Sequence, residues 1–351
     1  MRDNKCWGDY VQIINEHNNF KPNYFEKEIV EKNLNIKIVD NVLIQPSKMD
    51  VHKRNMSCNL FNFAHENIYE THHERGVNHN VFKPESISFI KSDKIKLLET
   101  DVIYLGWVFP HYGHFLMESL SRLWFLEQYS GKAKFLFNVY RDHSQFIGSK
   151  KWAEDLLSCF NISSEDIIYS DDFYQAKRVY IPSQSLVLHS SVNSKAQNFI
   201  WNKIKSQFAD DSAIIKKDKI YLSRSKLVKD KRKLENEDIV EGVFLRHGFQ
   251  IVHPEEISLK QQIEILSQAK VVVGPSGSAL HNAAFMRKGS LLISLTTPDF
   301  CLLNEALCCY SAKTQYELFF GASAEEGSGV WRIDCKELDR MLGKHIFING
   351  S

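Results

Sequence analysis

Four groups of residues in the 351-residue chain have the types and spacing to do chemistry. The first is His111-Tyr112-Gly113-His114-Phe115-Leu116-Met117-Glu118-Ser119-Leu120-Ser121-Arg122. His114, Glu118 and Arg122 recur at i, i+4 and i+8, which puts all three on one face of a helix. A histidine and a carboxylate at the mouth of a strand-to-helix turn offer a general base, with Arg122 fixing or charging the site. An exposed Glu–Arg pair would be worth only a few tenths of a kcal/mol. At the start of a strongly apolar helix, however, a polar triplet is costly unless it faces a cleft.

The second group is the turn Gly274-Pro275-Ser276-Gly277-Ser278-Ala279-Leu280-His281-Asn282, which follows the apolar run 271–273 and opens a helix. Small residues let backbone approach a ligand, and the amides at a helix N-terminus favour an anion such as phosphate. The dinucleotide fingerprint G-x-G-x-x-G and the P-loop lysine are both missing. The nucleophile elbow G-x-S-x-G fails at Ser278. Third is Ser223-Arg224-Ser225 at the end of a strand, where the planar guanidinium suits a diphosphate. The lysines around it in 216–233 read as solvated surface. The fourth group, His65, His72, His73 and His79 with Glu66, Glu70 and Glu74, has no zinc-motif spacing and reads as a solvated loop without a metal.

The elements that must position these residues are of α/β type. DVIYLGWVF is a strand, and the apolar residues 116, 120, 123 and 124 give a helix that Gly131 ends. FLFNVY (135–140) and KRVYIPS (177–183) are further strands, so this layer is parallel. Residues 36–43 and 87–90 read as short strands, and 193–209 as an amphipathic helix followed by a polar linker end at 210–219. A second series then alternates strand and helix from KIYLSRS to GSLLISLT, with Ser258 as a helix N-cap, which is a doubly wound pattern. The expected division is an N-terminal α/β domain over 1–190, a linker helix over 191–214 and a C-terminal domain over 215–351. VWRID and KELDRMLGKHI either close the C-terminal domain or, for the final helix, pack back on the N-terminal one. Two such domains leave a cleft at the carboxyl ends of their strands, where α/β folds bind ligands.

Composition excludes several classes. Hydrophobic residues make up 43% and charged residues 25%, which is globular rather than disordered. With 44 basic against 43 acidic residues, binding nucleic acid by counterion release is not expected. Seven cysteines in an odd, CxxC-free arrangement suggest a reducing compartment. No apolar run approaches the ~18 residues of a membrane span, and the N-terminus lacks a leader-like segment. A cytoplasmic protein is expected, soluble or resting on the inner face of a membrane.

Together, 112–124, Ile220 to Ser225, Gly248-Phe249 to Pro254-Glu255 and Ala269 to Asn282 resemble the family 61 glycosyltransferases, over about 101–297. The resemblance implies a GT-B architecture, two Rossmann-like domains facing a cleft, with the nucleotide-sugar held mainly by the C-terminal domain. It implies an inverting, metal-independent hexosyl- or pentosyltransferase using a UDP-type donor and no cofactor. Its acceptor would be a glycan or lipid-linked glycan, in capsule or lipopolysaccharide synthesis. The donor set is Arg224 with Ser223, Ser225, Glu255, Gly274, Ser276, Gly277, Ser278, Ala279, Leu280 and Asn282. Glu118 is expected to be the base, since a carboxylate is ionised at neutral pH and a histidine only partly. His114 would then orient it or bind the acceptor, with His111, Tyr112, Gly113 and Arg122 lining the cleft. A noncatalytic nucleotide- or sugar-binding protein on the same scaffold is the alternative, because fold does not fix function.

Overall fold

The computed structural model describes residues 5–15, 20–47, 49–50, 55–76, 82–84, 86–87, 94–139, 146–209, 218–227, 232–324 and 329–345. The expected strand at 88–90, the linker end at 210–217 and His79 lie outside them. The fold is mixed α/β and divides into two compact units, Val30–Ile204 and Met1–Ile29 with Lys205–Ser351. Both boundaries differ from the expected ones. The first 29 residues join the C-terminal unit because β1 (Val11–Ile13) is a strand of that unit's sheet. The division between the units falls inside the expected linker helix, α1 (Ser194–Phe208).

In the unit Val30–Ile204 a mixed sheet is built from β2 (Ile36–Ile44), β3 (Leu60–Phe61), β4 (Lys96–Leu98), β5 (Asp101–Trp107), β6 (Ala133–Asn138), β7 (Ile167–Tyr169) and β8 (Tyr174–Pro182). The order is β7-β6-β5-β8-β2-β3, with β4 also alongside β8. The expected parallel layer is present from β7 to β8, and β2 and β3 extend it antiparallel. Val42, Ile44, Val102, Tyr104, Leu136, Val179 and Ile181 form its core. The β5–β6 connection carries the His114 motif from the carboxyl end of β5, the end where parallel layers place chemistry.

The other unit holds an all-parallel six-stranded sheet of β1, β9 (Lys219–Leu222), β10 (Gln250–Val252), β11 (Val271–Pro275), β12 (Leu291–Thr296) and β13 (Gln315–Phe320). Its order is β1-β13-β12-β11-β9-β10. The chain steps from β9 out to β10, then returns past β9 to β11, so the direction of winding reverses between β9 and β11. In open α/β sheets the crevice outside the carboxyl ends at such a reversal is the ligand site. Helices α2 (Glu237–Arg246), α3 (Leu259–Gln268), α4 (Asn304–Ala312) and α5 (Cys335–His345) complete the unit. Ser258 caps α3 as expected, its hydroxyl accepting from the Gln261 amide at 3.3 Å. The final helix contributes Leu338, Met341 and Leu342 to the core that contains Val243, Phe244 and Phe319, so it closes this unit. Among the described residues no helix is long and apolar enough to cross a membrane.

Candidate active site

The segment expected to be one regular helix from His111 to Gly131 is irregular. Tyr112–His114 is a single α-turn, Phe115–Ser119 a π-turn and Leu123–Glu127 a 3-10 turn. The Leu120 amide reaches back five residues to the Phe115 carbonyl at 3.2 Å. A π-turn takes more residues per revolution than an α-helix and recurs at functional sites. It preserves the His114–Glu118 pair but rotates Arg122 out of the shared face.

Glu118 is buried, its side chain 0% exposed, yet four donors converge on it. Oε1 accepts from His73 Nε2 at 2.7 Å and Arg75 Nε at 2.6 Å, and Oε2 from His114 Nδ1 at 2.5 Å and Arg75 Nη2 at 2.9 Å. Those four bonds occupy the four lone-pair sites of a carboxylate. Burial pushes the Glu118 carboxyl upward, but hydrogen bonds from His114 and His73 and the Arg75 charge outweigh it and hold the group well below the usual carboxylate range. Burial likewise pushes the His73 imidazole below its ordinary value, so His73 is a neutral ring donating Nε2–H. His114 donates Nδ1–H to the carboxylate, which fixes the tautomer whose Nε2 accepts a proton. Its side chain is 44% exposed.

This geometry corrects two expectations. Glu118 is not a carboxylate facing a cleft, because it is enclosed and saturated. Nor is the His72–Glu74 stretch a solvated loop, because His73 and Arg75 are the partners that enclose it. Arg75 also lies 4.9 Å above the Phe109 ring. Arg122 leaves the site altogether. It is 1% exposed, donates to the carbonyls of Pro182 and His72, and lies 5.3 Å over the Tyr104 ring. Gly106, at φ +86° in a bulge of β5, makes room for it, since a Cβ there would stand 3.2 Å from Arg122 Nε. His111 is exposed beside His114, with ring centroids 5.7 Å apart. Tyr112 is half-buried edge-on to Trp152, and Gly113 is buried.

The second constellation sits at the reversal point between β9 and β11. Arg224 Nη1 donates to the Ser276 carbonyl at 3.0 Å, joining the ends of the two strands. The Arg224 amide is held by Glu237 Oε1 at 2.7 Å, a carboxylate that also accepts from the Tyr221 hydroxyl at 3.1 Å. Burial pushes the Glu237 carboxyl upward against those hydrogen bonds. Ser223 and Ser225 both donate to Glu241, so they brace the turn. On the other strand Glu305, from α4, accepts from Ser276 Oγ at 2.6 Å, the Gly277 amide at 2.8 Å, Ser294 Oγ at 3.0 Å and Tyr316 OH at 2.8 Å. A cavity of about 220 Å³ opens beside these groups, lined by Arg224, Arg232, Ser276, Thr297, Phe300 and Trp331 among others.

The rest of the expected donor set is divided. Ser278 and Ala279 are half-buried at the start of the helix Ser278–Phe285, which is 3-10 rather than α. Gly274 packs under the turn, where a Cβ would meet the Leu222 carbonyl at 2.8 Å. Leu280 is core, and Asn282 is buried, bonded to Gln262 at 2.9 Å. Glu255 is exposed beyond β10, across β9 from the turn, and does not line the cavity. Sequence reasoning placed His73 in a solvated loop and missed Arg75, Arg232, Glu237 and Glu305. Of these only Glu305, a lone acid inside LNEALCCY, left a local signal, because a carboxylate in an apolar run is seldom buried without a partner. Among the described residues no group of three or more His, Cys, Asp and Glu side chains could hold a metal ion.

No curated protein matches the chain. The family model for Glycosyltransferase 61 matches residues 112–293, just over half of the chain, from the start of the His114 turn through the Arg224 and Gly277 turns to β12. Because that match covers more than half of the chain, the chain belongs to the glycosyltransferase 61 family.

Proposed function

We propose that this glycosyltransferase is inverting and metal-independent, with His114 as the general base and the β9–β11 reversal point as the donor site. A division of labour of GT-B type follows, one unit holding the nucleotide-sugar and the other the proton-transfer machinery. In the transfer step His114 Nε2 takes the proton of an acceptor hydroxyl. The acceptor oxygen forms the new bond to the anomeric carbon from the face opposite the leaving group. The bond from that carbon to the diphosphate oxygen breaks, and its electron pair stays on the diphosphate, where Arg224 balances the charge. Glu118 keeps His114 in the right tautomer and stabilises the imidazolium that forms, while His73 and Arg75 hold Glu118 still. The roles first expected for Glu118 and His114 are thereby exchanged. The observation that carries this assignment is the saturation of all four Glu118 lone-pair sites by His73, Arg75 and His114. The donor is read as a UDP-linked sugar and the acceptor as a glycan or lipid-linked glycan of capsule or lipopolysaccharide type.

The test is a panel of nucleotide-sugars with glycan acceptors in the presence of EDTA, with product followed by the NMR signal of the anomeric proton. The expected product has the anomeric configuration opposite to that of the donor. Retained configuration would overturn inversion, and activity abolished by EDTA but restored by Mn²⁺ would overturn metal independence.

A further inference from the structure

Helix N-termini bind phosphate through open amides, but the Gly277 amide is already held by Glu305 at 2.8 Å. That carboxylate is buried beneath the turn and fixed by Ser276, Ser294 and Tyr316. A buried negative charge under the loop repels a diphosphate above it unless cations stand between them. Two guanidiniums lie against the same turn. A Cβ built on Gly277 would lie 3.0 Å from Arg224 Nη1 and 3.5 Å from Arg232 Nη2, so both side chains rest against the bare backbone of this one residue. Gly277 has φ +153° with extended ψ, a conformation in practice confined to glycine. The two arginines arrive from different directions. Arg224 comes from the end of β9 and is pinned by the Ser276 carbonyl. Arg232 comes from the segment before α2, and its guanidinium lies 3.7 Å over the Phe300 ring. Stacking engages the flat face of a guanidinium, whereas phosphate is bound through its edge, so the Phe300 ring sets the direction in which the Arg232 edge points. Both arginines line the same cavity of about 220 Å³, together with Ser276 and Thr297. Among the described lining residues the one carboxylate, Asp299, accepts from the Ser323 hydroxyl.

The geometry points to a two-guanidinium seat, Arg224 and Arg232 over the bare Gly277, that binds the diphosphate of the donor, with Phe300 orienting Arg232. This rests on the reading of the protein as a nucleotide-sugar transferase and adds Arg232 and Phe300 to it. The Glu305 carboxylate holds the floor of the seat in shape, and the phosphate charge is met by arginine edges in place of backbone amides.

The test is calorimetric titration of the 351-residue chain with UDP, GDP, inorganic pyrophosphate and uridine, with thermal unfolding as the check on fold. Wild type is expected to bind at least one nucleoside diphosphate and, more weakly, pyrophosphate. Arg224→Ala and Arg232→Ala should each weaken diphosphate binding about 10- to 100-fold, the range for a hydrogen bond to a charged group. Arg232→Gln, which keeps the length but not the charge, should do the same, and Phe300→Leu should lose less. Uridine, which has no phosphate, should bind all variants as it binds wild type. If Arg232→Ala and Arg232→Gln both bind the diphosphate as tightly as wild type while Arg224→Ala does not, Arg232 is outside the seat and the transferase reading stands. If folded wild type binds no nucleoside diphosphate and no pyrophosphate, the transferase reading itself fails with it.

Discussion

Four hydrogen bonds to one buried carboxylate carry the proposed assignment of the base. Each Glu118 oxygen is shared between one imidazole and one edge of Arg75, so the carboxylate acts as a hub that cannot also receive a substrate proton. Glu118→Gln keeps the shape but removes the charge and offers an N–H where His114 needs an acceptor. The wrong tautomer of His114 then follows, and kcat should fall roughly 10³- to 10⁴-fold with donor affinity unchanged, as judged by steady-state rates beside nucleotide titration. The hub also sets a pH dependence of stability. Burial pushes His73 below its ordinary value of 6.5, so below that pH the unfolded chain takes up a proton that the folded chain refuses. The contribution of neutral His73 is therefore complete above about pH 6.5 and declines as pH falls toward the lower folded value. Glu118 acts in the same direction in stronger acid, since its depressed carboxyl stabilises the fold above the usual carboxylate range and loses that effect as pH falls through the folded value. The thermal midpoint should drop from about pH 7.5 to 5.5, and His73→Gln should flatten that part of the curve from a lower start. A curve equally steep in His73→Gln would assign the effect to another group. The His114–Glu118 pair was legible because it is local. His73 and Arg75 were not, since they meet Glu118 across 45 and 43 residues of chain and no pattern in the sequence connects them.

Regular elements were easy to read, and the informative exceptions are the irregular ones. The strands β5, β6, β8, β9, β11 and β12 and the helix α3 announce themselves by apolar runs or amphipathic spacing. The π-turn at Phe115–Ser119 and the 3-10 helix at Ser278–Phe285 keep an apolar pattern that periodicity takes for an α-helix. Helix α4 was missed for the opposite reason, because Asn304–Cys309 are all buried and no polar face marks its period. That omission hid Glu305, the residue that holds the Ser276–Gly277 turn. The turn itself tests how strictly geometry is required there. Gly277→Ala forces a side chain into a conformation that costs about 1–3 kcal/mol and pushes a methyl to 3.0 Å from Arg224. Nucleotide affinity measured by calorimetry should fall at least tenfold while far-UV circular dichroism stays that of the wild type. An unaltered affinity would mean that the turn does not contact the donor.

The whole chain is built with its first residues in the unit that contains its last. β1 pairs with β13, Tyr10 OH donates to the Thr314 carbonyl, and Trp7 is wholly buried against Tyr10 and Tyr310. A three-residue edge strand whose partner lies some three hundred residues away leaves no local trace, which is why the expected domain division placed 1–29 elsewhere. Trp7→Ala should destabilise the C-terminal unit by about 3–5 kcal/mol, read as a lower denaturation midpoint, and a cost under about 1 kcal/mol would remove the N-terminal segment from that core. In the proposed mechanism proton transfer comes from one unit and donor binding from the other. The most direct measurement is therefore kcat and donor Kd for His114→Ala beside wild type, with the nucleotide-sugar that wild type turns over. Expected is a kcat lower by about 10²- to 10⁴-fold at an unchanged Kd. A His114→Ala enzyme that turns over at the wild-type rate would contradict the assignment of His114 as base.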